Sequence, residues 1–178
     1  TKNSNLITPV TCYSEIIANE KAEKMSALLT LEEGEVCGGD LDKLKEIYDL
    51  GIRMMTFTWN YPNSLGFPAE PAPFLPSNFK QQQITPTNLN IKLHTKKGLT
   101  RLGKEFLEEM ESLGIIPDVS HLSDQGIREV CKIAKKPFCA SHSNARALCQ
   151  RGRNLPDELI RAIAEKGGVI GANYYGPF

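Results

Sequence analysis

The sequence predicts an α/β protein with a parallel sheet, read as consecutive units of a (β/α)8 TIM-type barrel with about five of the eight strands present. Three observations predict it. Short apolar runs alternate with helical stretches along the chain, and strands joined through helices pair in parallel. Pro, a short apolar run and Ser-His recur as I-I-P-D-V-S-H at 115–121 and K-P-F-C-A-S-H at 136–142. Their separation matches one β/α repeat, which takes roughly thirty residues or fewer. Four of the runs end in Glu32, Trp59, His121 and His142, at the strand ends where such folds collect their chemistry.

Taken in order, residues 13–25 suit an amphipathic helix with Ile17, Ala18, Ala22 and Met25 on one side. Residues 26–32 are an apolar strand closing on an acid, followed by the glycine-rich E-G-E-V-C-G-G. Asp40 caps the next helix, whose stripe is Leu41, Leu44, Ile47 and Tyr48, and Gly51 stops it. Residues 53–59 form a strand. Residues 60–98 break the rhythm: they hold six of the eleven prolines and a Gln run. This reads as an irregular insertion serving as a lid or contact surface, with His94 a solvated loop residue. Helical spacing resumes with Leu102, Phe106, Leu107, Met110 and Leu113, ending at Gly114. A strand over 115–121, a Ser123-capped helix to 134, a strand over 137–142, a helix from 154–157 to Gly167 and a strand over 168–175 complete the chain. The expectation is a single partial barrel domain over 1–178.

Composition excludes several classes of function. With 21 basic and 21 acidic residues among 178, nothing electrostatic favours nucleic acid or an anionic membrane surface as a partner. No apolar run approaches the roughly 20 residues that span a bilayer. The five cysteines are scattered without a C-x-x-C pair, which reads as reduced, mostly buried thiols and places the chain in the cytoplasm. The chain opens on Thr without a signal-peptide pattern and stops just after a strand, so both ends read as cut from a longer protein.

Side chains alternate along a strand, so Glu32 shares a face with Thr30 and Leu28, and His142 with Ala140 and Phe138. If that face lines the barrel, Glu32, His121 and His142 converge at its mouth. One carboxylate and two imidazoles suit zinc or a similar divalent cation. The plainer alternative is a solvated loop acid beside two unrelated strand-end histidines.

The segments L-L-T-L-E-E-G-E, M-T-F-T-W-N-Y-P-N, K-G-L-T-R-L-G, I-P-D-V-S-H-L-S, P-F-C-A-S-H-S-N-A-R and R-N-L-P-D-E-L-I resemble, in order and spacing, the renal (membrane) dipeptidase family of zinc peptidases, as a bacterial member. The resemblance runs from about Ala27 to Tyr175. It implies a (β/α)8 barrel with two zinc ions that hydrolyses dipeptides, some with a D-residue at the C-terminal position. It assigns Glu32 as the catalytic carboxylate bridging the metals, and His121 and His142 as the histidines completing one metal's ligands. It assigns Arg153 to the substrate's terminal carboxylate, which a guanidinium fork binds bidentately. The resemblance assigns Trp59 and Tyr175 to substrate binding; Tyr174 and Tyr175 resemble an aromatic pair at a strand end that either lines the substrate pocket or packs in the core. Two departures stand out. Trp59 replaces a histidine that helps bind the reacting carbonyl in many members. The family's N-terminal His-x-Asp pair and a late aspartate have no counterpart in these residues, so at most one tightly bound zinc is expected here. Open sheet edges imply a homo-oligomer. The competing reading is an inactive barrel remnant acting as an oligomerising or binding module. A weaker one is a barrel hydrolase of the amidohydrolase type acting on a cyclic amide, which leaves Arg153 unexplained.

Overall fold

The computed structural model describes residues 3–69 and 97–176. Among these, six strands run β1 (Ile7–Val10), β2 (Met25–Leu31), β3 (Ile52–Thr56), β4 (Ile116–Asp118), β5 (Cys139–Ala140) and β6 (Val169–Ile170). Five helices connect them: α1 (Tyr13–Lys21), α2 (Leu41–Asp49), α3 (Arg101–Leu113), α4 (Asp124–Ile133) and α5 (Asp157–Glu165), with a 3₁₀ turn at Gly34–Cys37. The strands lie in the order β1-β2-β3-β4-β5-β6, every neighbouring pair parallel. Strictly sequential order winds a curled half-barrel, whereas a doubly wound sheet reverses its order partway.

Six strands correct the expected five. The missed one, β1, reads I-T-P-V, and its Pro9 carries no N–H, which argues against a strand in an isolated sequence. It forms because β1 is an outer strand among the described residues, held by Met25 N donating to Leu6 O at 2.8 Å and by Pro9 in register with Ala27. The irregular insertion expected over 60–98 falls mostly on residues 70–96, outside the described residues, as does His94. Its flanks are tied down: Gly66 bridges Leu99, and Pro68 bridges Leu122.

Helix starts are written in the sequence and observed in the fold. Asp40 accepts from Asp42 N, Thr100 from Gly103 N and Ser123 from Gly126 N, each cap contributing about 1 kcal/mol. Gly114 ends α3 at φ 90°, a left-handed position that suits glycine. The apolar faces of α2 to α5 cover one side of the sheet, where Leu44, Phe106, Met110, Val130, Leu159 and Ile163 pack on Met55, Phe57, Val119, Phe138 and Ala140. The other side is a shallow apolar concavity of about 430 Å³ lined by Met54, Ile116, Cys139, Val169 and Ile170, among others. Of the cysteines, Cys37 and Cys139 are buried, Cys131 and Cys149 half-buried and Cys12 exposed. Burial, with a neighbouring acid, pushes the Cys37 thiol up to about 11 and Cys139 to about 12. No described helix is long and apolar enough to cross a membrane.

Candidate metal centre

Both Ser-His pairs lie on turns just past their strands, β4 stopping at Asp118 and β5 at Ala140. This corrects the alternation argument for His142. Phe138 and Ala140, the residues two and four before it, are 1% and 0% exposed in the helix-side core. Simple alternation would therefore aim His142 into the helices. The strand ends first, and the turn at Ser141 and His142 redirects the ring. His121 is turned by left-handed backbone at φ 69°, a conformation costing a β-carbon residue roughly 1–2 kcal/mol. Ala69 N holds it there, donating to His121 O at 2.8 Å. Strained backbone that its surroundings hold in place is a mark of functional positions.

Glu32 follows β2 directly, and its neighbour Glu33 is anchored by N–H donation to Thr56 Oγ1 at 2.7 Å. Glu32 Oε1 stands 3.1 Å from His121 Nε2 and 3.5 Å from His142 Nε2, and the two Nε2 atoms are 2.9 Å apart. One ligand atom from each of the three residues lies within 4.8 Å of the others. The far nitrogens of the rings face oxygen. His121 Nδ1 is 3.1 Å from Asn60 Oδ1, and His142 Nδ1 is 2.7 Å from Ser141 Oγ. With Asn60 Oδ1 accepting, His121 carries its proton on Nδ1 and turns a lone pair at Nε2 inward. Glu32 Oε1 and His121 Nε2 are thus acceptors, and His142 Nε2 converges with them on one point. Such convergence repels unless a cation or proton lies between, and the donor set is one that divalent cations of the zinc type take.

Electrostatics favour a neutral ring. Burial, then the Arg153 guanidinium, then His142, lower His121 to about 3. Glu32 pulls the other way, yet its side chain is 53% exposed and well solvated, so burial wins. A neutral imidazole is the form that ligates metal.

Arg153 is 7% exposed. Its Nη1 donates to His121 Nε2 at 3.2 Å and its Nη2 donates to His142 O. The loop carrying it is clamped by Arg146, which donates to both Asp124 oxygens at 2.7 Å and to the carbonyls of Gly152 and Asn154. The structure therefore gathers Glu32, His121, His142 and Arg153 in one place. Trp59 is 38% exposed, its ring meeting Tyr61 edge-on at 5.8 Å, and Tyr175 is 60% exposed beyond β6. Sequence reasoning missed Asn60, Asp118, Ser141 and Arg146. Asp118 carried a signal, a charged residue inside an apolar run, which at 1% exposure needs partners.

Known proteins resemble this chain in sequence and in fold. Dipeptidase 3 of Homo sapiens is 30% identical over 164 residues, 89% of this chain and 30% of its own length. A metallopeptidase from Rhodobacter sphaeroides, solved with a phosphinate mimic of the dipeptide L-Ala-D-Ala, superposes with a TM-score of 0.80 at 26% identity over 98% of this chain and 45% of its own. A probable dipeptidase from Pseudomonas aeruginosa gives a TM-score of 0.80 at 26% identity, over 96% of this chain and 39% of its own. The chain thus spans between about a third and a half of these proteins. The model of the membrane dipeptidase family, peptidase family M19, matches residues 1–178 from end to end, and the chain belongs to that family.

Proposed function

We propose that this chain supplies one metal's ligands and the substrate-anchoring arginine of a zinc-dependent dipeptidase. The observation that carries the reading is the convergence of Glu32 Oε1 with the Nε2 atoms of His121 and His142. Glu32, His121 and His142 would hold a divalent cation, which when bound would supply Lewis acidity toward a carbonyl and water. Arg153 supplies a buried positive fork beside them, suited to the terminal carboxylate of a dipeptide. Anchoring that carboxylate fixes how the peptide bond lies over the metal ligands, the orientation term in catalysis. The R. sphaeroides relative binds a mimic of L-Ala-D-Ala, which makes small dipeptides with a C-terminal D-residue the first substrates to try.

Among the described residues only one candidate ligand group exists, and this supports at most one tightly held zinc per chain. That count also favours the second reading, in which the chain alone is inactive and acts by association. Metal analysis after zinc loading and exhaustive dialysis tests the proposal. One zinc per chain is expected, with His142→Ala weakening affinity by more than the roughly 10–100-fold typical of losing an outer-shell partner. Two tightly held zincs, or none, overturn it.

A further inference from the structure

We propose that Asp118, acting through Ser141, is a positioning residue that fixes His142 with its proton on Nδ1 and its Nε2 lone pair turned to the metal. The proposal rests on the metal reading above. It starts from a buried carboxylate for which that reading has no use. Asp118 ends β4 and is 1% exposed. Its Oδ1 accepts from two backbone groups, Ser120 N at 2.9 Å and Ser141 N at 3.0 Å, and its Oδ2 accepts from Ser141 Oγ.

Donor and acceptor counting then gives the network a single direction. An ionised carboxylate only accepts, so the one proton of the Ser141 hydroxyl points to Asp118. Ser141 Oγ is left with lone pairs alone for its other neighbour, His142 Nδ1 at 2.7 Å. On this side the relay puts the proton on Nδ1, against the 2.9 Å contact of His142 Nε2 with the His121 Nε2 lone pair, which by itself favours a proton between the two rings. The tautomer measurement below decides which of the two prevails. Ser120 reinforces the direction. Its Oγ accepts from His142 N at 3.0 Å and lies 3.4 Å from Ser141 Oγ, toward which its own proton is free to point. The hydrogen bond at one ring nitrogen decides what the other can do, and metal-ligating histidines characteristically donate their second N–H to such a partner. Asn60 performs the same task for His121 in one step; His142 receives it in two.

Asp118→Asn reverses the relay without removing atoms. The two backbone N–H groups at Oδ1 require an acceptor, so the amide oxygen stays there and the NH₂ group replaces Oδ2. Ser141 Oγ must then accept from the amide and donate to His142 Nδ1, which moves the ring proton to Nε2 and blocks the metal-facing lone pair. Nitrogen-15 NMR of the imidazoles in the metal-free 178-residue chain, at about pH 8 where an ordinary imidazole is neutral, reads this directly. The Nδ1–H form is expected for wild type and the Nε2–H form for D118N. Cobalt(II) titration should show D118N and S141A binding about 10–100-fold more weakly, with S141T, which keeps the hydroxyl, restored to near wild type. Circular dichroism establishes that each variant is folded. If D118N does not fold, S141A decides, because it leaves both backbone bonds to Asp118 intact. Wild-type spectra showing Nε2–H on His142, or unchanged cobalt affinity in folded D118N or S141A, overturn the relay. Failure of the wild type to bind cobalt at all overturns the metal reading instead, and the tautomer measurement then still judges the relay.

Discussion

Gly171→Ala tests whether the candidate metal site depends on the close fit of β5 and the segment after β6. A β-carbon at position 171 would lie 2.0 Å from Ser141 O and 2.9 Å from Ser141 C. Ordinary van der Waals contact begins at about 3.4 Å, so one segment must yield by more than about 1 Å. Neither yields easily. Ser141 N is bonded to Asp118, Gly171 N donates to Ala140 O at 2.9 Å, and Gly171 O accepts from Ser143 N at 2.8 Å. Overpacking of this kind costs about 1–3 kcal/mol, and the atom displaced belongs to the residue before His142. The expectation is a melting-temperature drop of several degrees together with at least about a tenfold loss of zinc affinity. Gly114→Ala is the comparison: nothing lies within 4 Å of its added β-carbon, so its left-handed backbone alone costs about 1 kcal/mol and zinc affinity stays put. Differential scanning calorimetry and a chelator-competition titration read both quantities. A Gly171→Ala chain that melts and binds zinc like wild type would falsify the close-fit argument.

Two further outcomes follow from the same structure. For the metal-free chain, His121 takes up its proton near pH 6.5 when unfolded and only near 3 when folded. Between those values the unfolded state binds more protons, so His121's contribution to stability is full above about pH 6.5 and falls by up to about 1.4 kcal/mol per pH unit below it. Urea unfolding across that range should show a steeper decline for wild type than for His121→Asn; equal slopes refute the assignment. Separately, β1 and β6 are outer strands among the described residues, and Met25, Leu29 and Val169 are 61%, 44% and 70% exposed. Light scattering behind a size-exclusion column should find concentration-dependent self-association; a stable monomer at about 100 μM contradicts it.

Glu32, His121 and His142 were legible in the sequence because each follows an apolar run, and in a parallel sheet wound through helices those ends meet. The same logic failed for β1, where Pro9 hid an outer strand, and alternation along the strand failed for His142, whose ring reaches the site because β5 stops at Ala140. Periodicity records which side of a strand a residue takes, but the stopping point depends on partners. β5 is two residues long because it pairs with only short stretches of β4 and β6.

The sequence alone determined the alternation of strands and helices, the helix caps at Asp40 and Ser123, and the residue types able to bind a cation. Tertiary structure decided how those residues are aimed. Asn60 and His121 are 61 residues apart, and Asp118 and Ser141 are 23 apart. Hydrogen-bond direction at an imidazole is set by the atom across from it, at about 3 Å. No spacing along the chain encodes a separation that small between residues that distant; only the packing of one turn against the next creates it.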